Sequence, residues 1–354
     1  MSKTFKISGI ILVSVMGLQI SRILVGFVNL GDNITGWIFS FIMQCLFLGL
    51  FPYLMYRGLV SKDKGAFVKE VKLNAKLKPK VYLLAVAIGI CVYLLNLGVS
   101  TVWYLILTLS GYGYVLGGGV LFTSPEVLIF EIITSSMLPA FFEELTDRGL
   151  LLAALEDVKS DIAKVLVMGL FFGACHQNVA QFGPTMVAGM IISYVAIKSG
   201  SIVPGMIIHF INNFFVLMGN YADQVDNFVT QIINFVNGFI YSNTIIVILI
   251  ALVAAWAIIY LLRVLKNTCS QPAPIIASPY NPTRELTTEE KIYAIYGYPT
   301  RPNPVPTAPI YTAPVIQEVT PTKKAKFKDY IFLILAIASA LAVTISTFVW
   351  GLIR

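Results

Sequence analysis

Nine stretches of mostly apolar residues recur from one end of the chain to the other, each close to the length that crosses a bilayer. A membrane helix needs about 20 consecutive apolar residues. We predict spans at 7–28, 34–56, 81–109, 125–155, 162–180, 184–198, 201–219, 243–265 and 329–353. Only 12% of the residues are charged, against about 25% in soluble domains. The sequence therefore predicts an all-α polytopic membrane bundle, with about eight core transmembrane helices and one C-terminal helix.

The distribution of charge predicts how the bundle is oriented. The net charge is +7, and basic residues concentrate in 57–80 and 263–328. The loops predicted on the opposite side, such as 110–124 and 220–242, contain no Lys or Arg. This is the positive-inside pattern, so we expect an integral protein of the cell membrane with a cytoplasmic N-terminus. Basic loops facing an anionic inner leaflet explain the charge, and no nucleic-acid partner is expected.

A proline-rich segment separates the last apolar stretch from the others. Residues 266–328 contain eleven prolines, a composition that favours extended, unpacked chain. We therefore divide the chain into a transmembrane core at 1–265, a cytoplasmic linker at 266–328 and a C-terminal helix at 329–354. The Pro299-x-x-Pro302 string offers a docking segment for a proline-binding partner, although such a match is expected by chance here. The linker and last helix are expected to be dispensable for any chemistry.

Three predicted helices carry polar side chains that a membrane helix rarely holds unless they are functional. The strings are FFEELTDRGL at 141–150, LFFGACHQN at 170–178 and IIHFINNFF at 207–215. At about 1.5 Å of rise per residue, the following side chains reach similar depths: Glu143, His176, His209 and Asn213. Three helices that present these groups at one level predict a site, provided that the helices pack together. The alternative is that the polar groups only hydrogen-bond the helices to each other.

Helical spacing separates supporting residues from reactive ones. Glu144 and Arg148 are four residues apart with the acid first, the favourable order for an ion pair. Glu143 lies on a neighbouring face and is freer to react. His209 and Asn213 are also four apart, so both can point towards one place.

The three strings together resemble the CAAX protease and bacteriocin-processing family, also called the Abi family, which includes the type II CAAX prenyl endopeptidases. The resemblance rests on Glu143-Glu144-x-x-x-Arg148, Phe172-x-x-x-His176 and His209-x-x-x-Asn213. The chain departs from the family at Thr146 and Asp147, where apolar residues are usual. Asp147 either lies beside Glu143 in the site, or faces cytoplasmic water or pairs with Lys164 or Lys198.

The resemblance implies an intramembrane glutamic endopeptidase that acts on a membrane-associated peptide or protein without a cofactor. Peptide hydrolysis needs a base for water and donors for the oxyanion. Glu143 is the expected base, and His176 orients the water and passes a proton to the leaving amine. His209 and Asn213 are the expected oxyanion donors. Arg148 holds Glu144 as structural support.

Two alternatives to this chemistry remain open at the level of sequence. Glu143, His176 and His209 match the His₂Glu ligand set of a catalytic zinc site, so a zinc metalloprotease is one. The other is a catalytically silent membrane scaffold or immunity protein of the same fold. A transporter is less consistent with the sequence, because no repeat of two related halves is evident.

Overall fold

A computed structural model of the protein describes residues 1–27, 33–113, 121–270 and 324–353, and these residues form helices and no strand. We number the helices in chain order. They are α1 (Lys3–Phe27), α2 (33–59), α3 (Ala66–Glu70), α4 (Pro79–Leu109), α5 (Pro125–Ala154), α6 (Asp161–Cys175), α7 (Val179–Ser199), α8 (Val203–Ala222), α9 (Phe228–Tyr241), α10 (Thr244–Ser270) and α11 (Phe327–Ile353).

Eight of these helices are long and apolar enough to cross a membrane, which confirms the prediction of an all-α integral membrane protein. They are α1, α2, α4, α5, α7, α8, α10 and α11. The predicted span at 162–180 differs, because α6 has only 15 residues and ends at Cys175.

The break between α6 and α7 does not lie at 181–183, where the sequence led us to expect a loop. It falls at residues 176–178 instead, and α7 already begins at Val179. The side chain of Asn178 accepts from the backbone N–H of Ala180 and caps the new helix, while Pro184 is accommodated inside α7. His176 consequently lies at the end of α6 and not within a helix.

Three other predicted loops also contain helix, and α3 lies in one of them, 57–80. The segment 220–242 includes α9, whose N-terminus is capped by the side chain of Asn227. The predicted linker 266–328 begins later than expected, since α10 continues to Ser270. The Pro299-x-x-Pro302 string and the rest of 271–323 lie outside the described residues.

Three π-helical turns widen the helices around the polar strings. One is Cys45–Leu50 in α2, and two are Ile132–Met137 and Leu145–Leu150 in α5. The first π turn of α5 directly precedes Pro139, which has no N–H to donate and was expected to kink the helix. The second follows Glu144 and carries Asp147 and Arg148. Single π turns inside α-helices occur frequently at functional sites.

The bundle has two apolar clusters, and the helices with polar strings connect them. The first cluster joins α1, the end of α5, α6 and α11, and the second joins α4, α7, α8 and α10. The last helix is thus part of the core: Leu333, Ala336 and Ala340 are buried in the first cluster. Residues 1–270 and 324–354 form one compact unit. This packing argues against our expectation that the last helix is dispensable.

Candidate functional site

The predicted ion pair between Glu144 and Arg148 is present and completely buried. Arg148 Nη1 lies 2.7 Å from Glu144 Oε1, and neither side chain is exposed. Arg148 also donates through Nη2 to the carbonyl oxygen of Gly189 at 3.2 Å. Because that carbonyl belongs to α7, the arginine links α5 to α7 as well as holding the acid. These contacts offset part of the cost of burying both charges, while Glu144 Oε2 and Arg148 Nε are buried without a hydrogen-bond partner.

Phe172, to which no separate role was assigned from sequence, contacts three of the predicted site residues. The guanidinium of Arg148 stacks over the ring of Phe172, 4.2 Å from its centroid. The rings of His176 and His209 meet the same phenylalanine edge-to-face, with centroids 4.8 and 5.4 Å away. Phe172 can approach this closely because Gly189 has no side chain: a Cβ there would lie 2.9 Å from Phe172 Cδ1. The ring therefore packs against both histidines.

His176 is oriented by the last turn of the helix that it terminates. Its Nδ1 lies 2.8 Å from the carbonyl oxygen of Phe172. A carbonyl can only accept, so Nδ1 carries the hydrogen. In the neutral ring Nε2 is then the basic nitrogen.

His209 on α8 is oriented in a different way, by a carboxylate. Its Nδ1 lies 3.0 Å from Glu144 Oε1, and its Nε2 lies 3.9 Å from Glu143 Oε2. A carboxylate accepts, so Nδ1 is again the donor. Glu144 thus orients the ring of His209, and the Nε2 of that ring faces Glu143.

A small cavity of about 30 Å³ brings Glu143, Asp147 and His176 together. A space of this size holds about one or two water molecules. The other lining residues come from α1, α2, α5 and the end of α6: Val15, Leu18, Leu48, Thr146, Cys175 and Gln177. Glu143 and Glu144, neighbours in sequence, thus face a cavity and a buried ion pair respectively.

The position of Asp147 decides between the two expectations for it. The residue is only 5% exposed and lies in the cavity, so it does not face bulk water. Lys198, one of its candidate partners, bonds Asp161 instead, at 2.6 Å. The nearest described cation to Asp147 is Arg148, at 3.7 Å. Asp147 is therefore a second carboxyl group beside Glu143.

Asn213 lies one turn beyond His209 and is held by other amides. Asn96 donates to Asn212, and Asn212 donates to Asn213 Oδ1, at 3.1 and 3.2 Å. The Nδ2 of Asn213 lies 3.4 Å from the carbonyl oxygen of Ser135, a long and weak contact. Asn213 does not line the cavity with Glu143 and His176, and its part in an oxyanion hole stays a prediction.

The described residues hold no group of three His, Cys, Asp or Glu side chains arranged to bind a metal ion. Glu143, His176 and His209, the zinc set suggested by sequence, do not form such a group in the structure. The zinc alternative stays a prediction.

Comparison with known families agrees with the motifs. Residues 125–215 match the family described as type II CAAX prenyl endopeptidase Rce1-like. No curated protein and no solved structure shows significant similarity to the chain. The matched region runs from the start of α5 into α8 and includes all three polar strings with the contacts between them. Over this region the chain is similar to the type II CAAX prenyl endopeptidase family, which supports the resemblance drawn from the three polar strings.

Proposed function

We propose that the protein is an intramembrane endopeptidase in which Glu143 and His176 activate a water molecule. The observation that carries this proposal is the cavity of about 30 Å³ that both residues line. It is large enough for the attacking water. The carboxylate of Glu143 that lines it also lies close to a proposed donor, since its Oε2 is 3.9 Å from His209 Nε2. The family match at 125–215 supports a CAAX-type protease in general; the roles of the residues are our proposal.

The proton transfers follow from the hydrogen bonds that fix each ring. Glu143 takes a proton from water as the water oxygen attacks the carbonyl carbon of the peptide. His176 Nε2, the acceptor nitrogen, orients the same water. When the C–N bond breaks, the proton held by Glu143 passes through His176 to the leaving amine. Proton transfers of this kind contribute about 10²–10⁴-fold to a rate.

The oxyanion would be stabilised from α8. We assign His209 Nε2 as the donor to the developing negative charge, while Glu144 keeps the ring oriented through Nδ1. Asn213 is proposed as a second donor. Its present contact to Ser135 is long at 3.4 Å, so the amide can be redirected at small cost. No cofactor is required by this scheme.

The proposed substrate class is a membrane-associated peptide or protein. Glu143 and His209 lie in helices that are apolar enough to span a membrane, so a peptide anchored in the bilayer would reach them more readily than a soluble one. Because the matched family is named for CAAX prenyl endopeptidases, a farnesylated peptide that ends in a CAAX sequence is the first probe to use.

The test compares matched Glu→Gln substitutions on one helix. We expect purified full-length Glu143→Gln to cleave a fluorogenic farnesylated CAAX peptide at least about 10²-fold more slowly than the parent. His176→Gln should lose a similar factor. Glu126→Gln, an exposed position on α5, is the control and should cleave at the parental rate.

Retention of the parental rate by Glu143→Gln would contradict the assignment of the base. A parent protein that folds but cleaves neither the farnesylated peptide nor its unmodified form would favour the catalytically silent scaffold.

A further inference from the structure

The loop that carries His176 is tied at both ends to the C-terminal helix. Thr347 Oγ1 of α11 accepts from the backbone N–H of Val179 at 3.0 Å. Thr344 Oγ1, one turn earlier on the same face, lies 3.2 Å from the carbonyl oxygen of Ala174. His176, Gln177 and Asn178 lie between these two anchored positions.

The two anchored groups differ in what else they bond. Val179 is the first residue of α7, and the first N–H groups of a helix must find partners outside it. Thr347 supplies that partner from α11. The carbonyl oxygen of Ala174, in the last turn of α6, already accepts from the N–H of Gln177 at 3.0 Å, so Thr344 supplies it with a second donor.

The loop conformation requires such external support. Gln177 has a φ of 54°, in the left-handed region that residues with a side chain rarely adopt. Conformations of this kind persist when the surrounding structure determines them, and they cluster at functional sites. Because His176 immediately precedes Gln177, a change in this turn would move the imidazole relative to Glu143.

Thr347 is the stronger of the two anchors. Its hydroxyl donates to the carbonyl oxygen of Thr344 at 2.7 Å while accepting from Val179, so hydrogen and lone pair are both used. The single hydrogen of Thr344 is shared between Ala174 and Ala340, at 3.2 and 3.1 Å. A single hydroxyl donates one full hydrogen bond, so the tie from Thr344 to the loop is partial.

The helix that presents the threonines is itself held at several points. Near its start, the ring of Phe332 packs against Phe5 of α1 with centroids 4.7 Å apart. Near its end, Phe348 stacks on Tyr112 at 5.9 Å. The carbonyl oxygen of Gly351 accepts from the N–H of Gly113 at 2.8 Å. These contacts at both ends fix the position of α11 along its axis, and so the position of its threonines beside the loop.

We propose that Thr347, assisted by Thr344, is a positioning residue that sets the His176 imidazole against Glu143. The C-terminal helix lies outside the region matched by the family, 125–215, so the support comes from a part of the chain that the match does not cover. The inference rests on the proposed function for its effect on rate, whereas the effect on the position of His176 can be measured independently.

The test uses the full-length protein and three single substitutions. Thr347→Val keeps the shape of the side chain and removes the hydroxyl, and Thr347→Ser restores it. Ser346→Ala is the matched control, because this neighbouring hydroxyl is exposed and bonds only within α11, to the carbonyl of Val343. Two assays are used. The first gives kcat and KM on the fluorogenic farnesylated CAAX peptide. The second gives the rates at which diethyl pyrocarbonate carbethoxylates His176 and His209, followed by mass spectrometry.

We expect Thr347→Val to lower kcat by about 10- to 100-fold with KM changed less than about twofold, because small displacements of a reactive group cost this much. The carbethoxylation rate of His176 should change at least about threefold while that of His209, held by Glu144, stays constant. Thr347→Ser and Ser346→Ala should match the parent in both measurements.

Equal His176 carbethoxylation in Thr347→Val and the parent would overturn the proposal, whatever the peptidase assay gives. Loss of activity in Glu143→Gln but not in Thr347→Val would also overturn it while leaving the proposed function in place. If Thr347→Val does not fold, Thr344→Val takes its place, with a smaller expected change in the same direction.

Discussion

At the scale of single residues, the site separates two adjacent glutamates by their surroundings. Glu144 is completely buried and shares Oε1 between Arg148 and His209. Glu143 lines the water-sized cavity. A buried carboxylate with two donors orients its neighbours, as in triads where an acid holds a histidine. The carboxylate in the cavity is the one that can exchange a proton with water.

The buried pair makes a prediction for stability. Arg148→Met leaves Glu144 without its cation, and removing one member of a buried pair costs roughly 3–5 kcal/mol. We expect a clear fall in the apparent Tm of the purified protein, followed by thermal unfolding in detergent. Adding Glu144→Gln should recover part of the loss, since the uncompensated charge is then gone.

Lys198→Met is the control for that substitution. It breaks the ion pair with Asp161, whose side chain is 40% exposed, and exposed pairs contribute up to about 1 kcal/mol. A similar Tm loss in Lys198→Met and Arg148→Met would show that the buried Arg148 pair contributes no more to stability than the exposed pair.

The sequence predicted the contacts within one helix but not those between helices. The spacing of four residues was sufficient to pair Glu144 with Arg148, because that distance is a property of any α-helix. The bond from His209 to Glu144 and the packing of Phe172 against both histidines depend on how α5, α6, α7 and α8 pack. Helical spacing within each string carries no information on these distances.

At the scale of elements, the close approach of α6 and α7 makes a prediction about Gly189. A Cβ at this position would lie 2.9 Å from Phe172 Cδ1, so Gly189→Ala must displace the ring that packs against His176 and His209. We expect a loss of peptidase rate of about 10-fold or more, together with a lower apparent Tm. Both are measured on the purified protein with the farnesylated CAAX peptide.

Gly238→Ala is the matched control in another helix, because nothing lies within 4 Å of a Cβ added there. Alanine is favoured over glycine inside a helix by about 0.5–1 kcal/mol, so this variant should be as stable as the parent or slightly more so, with unchanged rate. If Gly189→Ala behaves in the same way, the Phe172 ring does not position the histidines.

The sequence predicted the presence of the helices more accurately than the residues at which they begin and end. The predicted spans left a break at 181–183, yet the helix begins at Val179 because Asn178 caps it and Thr347 accepts its first N–H. The second of these partners lies 168 residues away, beyond any local pattern. This is also why the contacts of α11 with the α6–α7 junction could not be predicted.

At the scale of the whole molecule, contacts show that the charged helix ends meet at one end of the bundle. Lys3 lies 2.8 Å from Glu70 and 3.2 Å from Glu156, which joins the N-terminus, the 57–80 loop and the end of α5. Lys78 donates to the carbonyl of Thr268, and the N–H of Ala325 donates to Asp157. The basic segments that sequence assigned to one side are therefore neighbours in space.

The opposite end is built from different loops. The N–H of Phe122 donates to Gln224 Oε1 at 3.2 Å. The rings of Phe122 and Tyr221 pack edge-to-face, with their centroids 5.2 Å apart. The described residues of these loops, 110–113, 121–124 and 223–227, include no Lys or Arg. Since basic loops stay in the cytoplasm, this end should face outwards.

The last prediction concerns this orientation and compares two exposed aspartates, one from each end. Asp63 and Asp226 each lie in an exposed turn, where they accept from Gly65 and Gln231. In a protein whose four native cysteines have been replaced, Asp226→Cys should react with a membrane-impermeant maleimide in intact cells of a bacterial host. Asp63→Cys should react only after lysis, because the lysines near it predict a cytoplasmic position by the positive-inside pattern. The labelled fraction, measured by gel shift, should therefore differ between the two variants before lysis and be equal afterwards. Labelling of Asp63→Cys alone in intact cells would reverse the orientation and place the basic loops outside.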